Sequence, residues 1–293
     1  MQELTFVKDY KNNEALRKSF FELAASTFGI HFETWYRKGF WNDQYIPFSF
    51  IKGDTIIANV SVNMLSLIIN SEKKKAIQIG TVMTHPDYRK QGLSASLMNK
   101  VLEEYEDQYD FMYLFANDTV LDFYPRFGFK PVEEHLFSMD FTPSPSRGPH
   151  TGIRKLNVNE ADDLRFLYKL ASERLPVSQR FGTDCTDGIF MFYCLNVFSD
   201  DMYYLENEDV IAIYKKENNQ MDVFDLIHTK EINIQDILDK IAGSDTEKIT
   251  FHFTPDDKGI DVKSSIYDGG LFVRENGGNI YPLHVKHPIT SIA

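Results

Sequence analysis

The residues best suited to chemistry fall in two clusters. The first reads Thr81-Val-Met-Thr-His-Pro-Asp-Tyr-Arg-Lys-Gln-Gly-Leu-Ser-Ala-Ser96. A β-rich apolar run, Ala76 to Met83, meets a His85-Pro86-Asp87 turn. Then come Arg89, Lys90, Gln91, Gly92, Leu93 and Ser94, and a helical pattern follows. A strand that feeds a basic, glycine-containing loop at a helix start makes an anion site. The first N–H groups of a helix have no internal acceptor, and its dipole favours negative charge there. The main-chain amides of Lys90, Gly92, Leu93, Ser94 and Ala95 are the candidate donors. Gly92 lets the backbone approach closely, and Arg89 and Lys90 add charge. The second cluster reads Asn117-Asp-Thr-Val-Leu-Asp-Phe-Tyr-Pro-Arg-Phe-Gly-Phe129. It offers a side-chain amide, Asn117, and the Tyr124 phenol, which with an ordinary pKa near ~10 can give up a proton to a departing group.

The spacing Arg89-x-x-Gly92-x-Ser94 resembles the pyrophosphate loop of the GNAT acetyltransferases (Arg/Gln-x-x-Gly-x-Gly/Ala), a family that moves an acetyl group from acetyl-CoA to an amine. Ser94 departs from the family's Gly or Ala, but serine is small and its hydroxyl can donate to a phosphate. The Asn117–Phe129 stretch resembles the later motif of the same family, with an Asn after the fifth strand and a Tyr on the next helix. The resemblance covers about residues 78–130 and implies several roles. Residues 89–95, Gln91 included, grip the diphosphate. The backbone of Val82, Met83 and Thr84 pairs with the pantetheine amides and polarises the thioester carbonyl. Asn117 bonds near the pantetheine or the helix start. Phe123 packs beside Tyr124, and Tyr124 protonates the leaving thiolate. Where many members carry a Glu on the strand before the loop, this chain has Gln78. His31, Glu33, His85 and a terminal carboxylate on Ala293 are the candidate bases. The motifs also look like those of the enhanced-intracellular-survival subgroup, whose members are longer and carry a lipid-carrier-like domain. Tandem members with one silent half, such as mycothiol synthase, are the other precedent.

The elements that must position these residues follow from periodicity. Leu4–Val7 reads as a strand, and Asn13–Phe28 as a helix with Leu16, Phe20, Leu23 and Ala24 on one face. His31–Arg37 reads as a short helix. Tyr45–Ile51 and Thr55–Ile69 read as strands joined at Lys52-Gly53-Asp54, with Lys73–Lys75 in the next turn. Phe111–Ala116 is a buried-type strand, Asp118–Arg126 a helix, and Leu136–Phe141 a closing strand. After the Pro/Gly-rich stretch 142–152, the order is repeated more faintly. Strands are read at Ile153–Leu156, Met202–Glu206, Val210–Lys215, Met221–Ile227, Ile249–Phe253 and Leu271–Arg274. Helices are read at Glu160–Ala171, Gly188–Phe198 and Ile232–Ile241. His228-Thr-Lys-Glu-Ile-Asn233, where a second phosphate loop would stand, has no glycine. The expected class is therefore α/β (α+β): a GNAT fold with a mixed central sheet flanked by helices. A catalytic domain at 1–142 is joined by a linker at 143–152 to a degenerate GNAT-like domain at 153–293. The aromatic run Phe32–Trp41, with Trp35, Tyr36, Phe40 and Trp41, is read as core that also lines an acceptor pocket.

Composition sets the outer limits. The net charge of −12 argues against nucleic acid, which calls for a basic face, and suits a cationic amine drawn in by the field. No stretch approaches the ~20 apolar residues of a membrane span, and the start Met-Gln-Glu-Leu is not a signal peptide. Two cysteines, Cys185 and Cys194, without Cys-x-x-Cys spacing suit a reducing compartment and no zinc, so the expected setting is cytoplasmic. His284-Val-Lys-His287 lacks a third ligand and reads as a strand end. The expected ligands are acetyl-CoA as cosubstrate and a small-molecule or peptide amine, with no metal; a homo-oligomer is left open. The rival reading is a non-catalytic acyl-CoA sensor.

Overall fold

The computed structural model describes residues 4–143, 151–256 and 259–293. Most of the expected linker, 143–152, lies outside them. In chain order the first half gives β1 (Thr5–Lys8), α1 (Glu14–Phe28), α2 (Glu33–Arg37), β2 (Tyr45–Lys52), β3 (Thr55–Ile69), β4 (Glu72–Thr84), α3 (Leu93–Glu104), β5 (Phe111–Phe115), β6 (Lys130–Pro131) and β7 (Glu134–Asp140). The second half gives β8 (Ile153–Lys155), α4 (Ala161–Glu173), β9 (Phe181–Asp184), α5 (Asp187–Asn196), β10 (Met202–Leu205), β11 (Val210–Glu217), β12 (Gln220–His228), α6 (Ile234–Ile241), β13 (Lys248–Phe251), β14 (Lys263–Tyr267) and β15 (Leu271–Glu275).

Local chemistry accounts for the boundaries. The Asn13 side chain accepts from the Leu16 amide and starts α1, and Gly29 at φ 71° ends it, its N–H bonded to the Ala25 carbonyl. Asn70 and Ser71, both at positive φ, make the turn between β3 and β4. Lys73–Lys75 therefore lie on β4, where the sequence placed them in the turn. The segment expected as one helix, 118–126, is two short 3-10 turns, Asp118–Val120 and Tyr124–Phe127; Pro125 cannot donate into a continuous ladder.

The two sheets share one layout. The first runs β1-β2-β3-β4-β5-β15-β6, with β9 added against β3; the second runs β14-β7-β13-β12-β11-β10-β8. In each, the fourth and fifth strands that a half contributes to its own sheet pair in parallel (β4 with β5, β12 with β13). In each, the next position is filled from the other half. The sequence read Leu136–Phe141 as the closing strand of the first sheet and Leu271–Arg274 as a strand of the second. The structure reverses both assignments: β7 pairs with β13 and β14, and β15 with β5 and β6. Strand propensity cannot tell which of two similar sheets receives a strand.

The halves share their core as well as strands. One apolar cluster joins Phe20, Trp35 and Trp41 to Phe190, Met191 and Ile227. The Trp35 indole donates to the Gly188 carbonyl at 2.7 Å. A Cβ on Gly188 would stand 3.0 Å from the Phe40 carbonyl oxygen, so a glycine allows α5 to come this close. Burying each such large side chain is worth about 1.5–3 kcal/mol, so a stack of this size outweighs any single polar contact across the junction.

Candidate active site

β4 and β5 pair only from Ala76–Phe111 to Ile79–Leu114. Beyond that they part. The Ala116 amide turns away to the Gly270 carbonyl at 2.7 Å, while β4 bends at a bulge. The register steps from Ser61–Gly80 to Asn59–Met83, and Thr81 adopts φ 51°. A buried polar chain holds that bulge. The Asn59 amide donates to the Thr81 carbonyl at 2.8 Å and to Ser61 Oγ at 2.9 Å, and its oxygen accepts from Ser49 Oγ at 2.8 Å. The Tyr45 hydroxyl meets Thr81 Oγ1 at 2.8 Å.

The wedge opens a cavity of about 940 Å³. Arg89, Lys90, Ser94, Asn117 and Thr119 line its mouth on the α3 side. Gly80–Thr84, Leu114, Phe115, Phe123 and Tyr124 line its waist. Phe28, Ile30, Phe32, Trp35, Tyr45, Asn63, Ile189, Phe192, Tyr193, Ile292 and Ala293 line the chamber beyond. Of the expected site residues, Val82, Met83, Thr84, Arg89, Lys90, Ser94, Asn117, Phe123 and Tyr124 line this one cavity. Gln91, Gly92, Leu93 and Ala95 are not part of the lining. Gly92, at φ 77°, caps α3, and Lys90 at φ 62° precedes it. Two left-handed residues flanking Gln91 turn successive amides toward a common side, ahead of the unpaired N–H groups that open α3. With Ser94 Oγ 2.7 Å from Thr84 Oγ1 and the two cations beside it, the loop fits a diphosphate.

The Tyr124 side chain is 5 % exposed, and burial pushes its pKa up to about 12. Among the described residues none is hydrogen-bonded to its hydroxyl, so the phenol keeps its proton and has it free to give. Asn117, which lines the cavity, accepts at Oδ1 from the Thr119 amide at 3.1 Å and hydroxyl at 3.0 Å.

Of the candidate bases, His31, Glu33 and His85 do not line the cavity, whereas Ala293 does. A Cβ on Gly80 would lie 3.2 Å from the carbonyl carbon of Ala293. Of the expected acceptor aromatics, Phe32 and Trp35 reach the cavity; Tyr36, Phe40 and Trp41 pack elsewhere. The sequence reading missed Asn63, Ile189, Phe192, Tyr193 and Ile292. Asn59, Ser61 and Asn63 recur at period two within an otherwise apolar strand, a pattern that could have marked one polar face. The α5 residues carried no such sign, because their place depends on the docking of the two halves.

The second sheet has the corresponding wedge between β12 and β13, and the chain itself fills it. The Ile289 amide donates to the His252 carbonyl at 3.1 Å. The Thr290 hydroxyl donates to Asp225, which also takes a bidentate pair from Arg174 at 2.7 and 2.6 Å. The same segment then delivers Ile292 and Ala293 to the first cavity.

Among the described residues no group of three or more His, Cys, Asp or Glu is arranged to hold a metal ion, and no helix is long and apolar enough to cross a membrane.

This fold, with its wedge between β4 and β5, is GNAT-like. Residues 11–132 match the family profile described as Acetyltransferase (GNAT) domain. The domain match supports acyl transfer as the general class of chemistry. Among solved structures the chain is similar to a conserved protein of Enterococcus faecalis V583 described as "Probable N-Acyltransferase" (14% identity, TM-score 0.64, covering 93% of this chain and 72% of that one). It is also similar to Eis1 from Mycobacterium abscessus (14%, TM-score 0.59, 93% and 73%). A third similar structure is a GCN5-related N-acetyltransferase from Kribbella flavida (17%, TM-score 0.56, 93% and 71%). No curated protein matches the chain by sequence.

Proposed function

We propose that this chain is an acetyl-CoA-dependent N-acetyltransferase, set in the cytoplasm, that passes the acetyl group directly to an amine of a small molecule or peptide. The observation that carries this reading is one cavity joining an anion-cradling helix start to an aromatic chamber, with the buried Tyr124 phenol on its wall. In this reading the amides around Lys90–Ala95, with Arg89 and Lys90, hold the diphosphate, and the free edge of β4 at Val82–Thr84 aligns the pantetheine. The amine nitrogen forms the new C–N bond as the C–S bond breaks. The thiolate takes the Tyr124 proton, and the proton shed by the nitrogen returns to the phenol through solvent. A carboxyl group at residue 293 would stand beside Gly80, on the acceptor side of the same wall. The division into 1–142 and 153–293 then describes chain order, with each unit completed by a strand from the other.

The test combines calorimetry with coenzyme A and thiol release from acetyl-CoA. Wild type is expected to bind coenzyme A and to release thiol only when an amine is present. Tyr124→Phe is expected to lower kcat by about 10²- to 10⁴-fold with coenzyme A affinity unchanged. No heat on titration would overturn the reading. Binding without turnover, indifferent to Tyr124→Phe, would favour the sensor.

A further inference from the structure

The filled wedge of the second sheet holds a buried ion pair that the fold alone does not call for. β12 pairs with β13 as far as Val223, and Asp225 stands two residues further on, the place Thr81 holds beyond Ile79 on β4. Asp225 is 1 % exposed, and both its oxygens are engaged. Oδ1 accepts from Arg174 Nη2 at 2.6 Å and from the Leu226 amide at 2.8 Å. Oδ2 accepts from Arg174 Nη1 at 2.7 Å and from the Thr290 hydroxyl. The bond to Thr290 is charge-assisted and shielded from water, so it is stronger than one between neutral groups.

Thr290 lies in the 3-10 turn Ile289–Ser291, which is also held by the Ile289 amide on the His252 carbonyl. Just beyond it come Ile292 and Ala293, which line the cavity, whereas Arg174, Asp225 and Thr290 do not. Among the described residues no hydrogen bond ties Ile292 or Ala293 to the first half; Ala293 rests against Gly80 by packing alone. Their place is therefore set by where the turn holds the chain. The Arg174 guanidinium also lies 5.8 Å from the centre of the Phe190 ring, on α5, the helix that gives Ile189, Phe192 and Tyr193 to the same cavity. One buried ion pair thus underlies both stretches of the second half that wall the cavity.

We propose that Asp225 and Thr290 are positioning residues for acyl transfer. The second half uses its own wedge as a clamp that holds residues 292–293 at the acceptor wall, and so sets turnover without touching the donor. The inference rests on the acetyltransferase reading and deepens it, giving the second half a part in the reaction.

Thr290→Val tests this, because it removes the hydroxyl at nearly constant volume and leaves Asp225 its Arg174 and Leu226 donors. Thiol release from acetyl-CoA is measured with tyramine, spermidine and kanamycin as probe amines, beside calorimetry with coenzyme A. The variant is expected to lower kcat about ten- to hundredfold on every amine that wild type turns over. Coenzyme A affinity and binding stoichiometry are expected to stay unchanged, and Thr290→Ser to restore most of kcat. Crystals of Thr290→Val are expected to show residues 292–293 moved off Gly80. Thr290→Ala removes the same hydroxyl and takes over if the valine variant does not fold. Wild-type kcat in the variant, an equal loss in Thr290→Ser, or residues 292–293 unmoved would overturn the inference. So would a loss of coenzyme A sites in step with turnover, the mark of a merely structural role. No binding of coenzyme A by wild type, or no thiol with any of the three amines, would instead overturn the reading beneath it, and the crystals would still show whether the clamp holds the wall.

Discussion

Tyr124 illustrates how environment sets a protonation state. Desolvation alone raises its pKa to about 12, because removing the phenolate from water disfavours the charged form. In the proposed reaction the group needed for thiolate departure is the protonated one. The rate is therefore expected to show no falling limb from this residue up to pH 10, which a kcat profile in overlapping buffers would check. An unshifted phenol would lose half its proton-donating population at about pH 10. Gly80 sets a distance in place of a charge. A Cβ there would come within 3.2–3.3 Å of three atoms of Ala293. Gly80→Val is expected to displace residues 292–293 and lower kcat at least tenfold, with coenzyme A affinity held within about twofold. Calorimetry beside steady-state kinetics separates the two effects.

At the scale of elements, the exchanged strands need fastening, and Glu134 provides it. It opens β7 with its side chain 1 % exposed, and accepts from Lys286 Nζ and from the His287 amide, both at 2.9 Å. A Cβ on Gly269 would fall 2.0 Å from Glu134 Oε2, so only glycine leaves room for this carboxylate. Such a pair adds little net stability against an apolar replacement, but breaking it strands a buried ammonium. Glu134→Ala is expected to cost about 3–5 kcal/mol in urea unfolding, and Glu134→Leu with Lys286→Met to recover most of it. The sequence marked neither residue as special. A Glu in a strand and a Lys in a tail become partners only when β7 and the closing segment meet at the junction of the sheets.

For the molecule as a whole, the segment after β15 crosses both halves and carries a proton-sensitive contact. His287 is fully buried. Its Nδ1 stands 3.1 Å from the Pro288 carbonyl and must donate to it, so Nε2 accepts from the Tyr113 hydroxyl at 2.8 Å. Burial, then the neighbouring Lys286 charge, lowers its pKa from 6.5 to about 3. The unfolded chain takes up this proton below pH 6.5 and the folded chain does not, down to about pH 3. Stability is thus undiminished above 6.5 and falls with acidification by up to about 1.4 kcal/mol per pH unit. His228, lowered by burial too, adds in the same direction. Denaturant midpoints at pH 7.5 and 5 would reveal the loss, and His287→Gln should flatten it.

The sequence by itself marked the basic, glycine-containing loop and most of the elements. Gly92 and the basic residues before it, the apolar face of α3, and the Asn117–Tyr124 spacing are local features, readable because backbone conformation and helical period depend on near neighbours. The same holds for the Gly53-Asp54 hairpin and the length of β3. Only the tertiary structure decided which sheet receives β7 and β15, that Ile189, Phe192 and Ile292 line the cavity, and that residues 289–290 fill the second wedge. These outcomes rest on pairings between residues far apart in the chain. Two sheets of the same layout offer a strand equivalent partners, and the choice falls to the packing of the whole molecule.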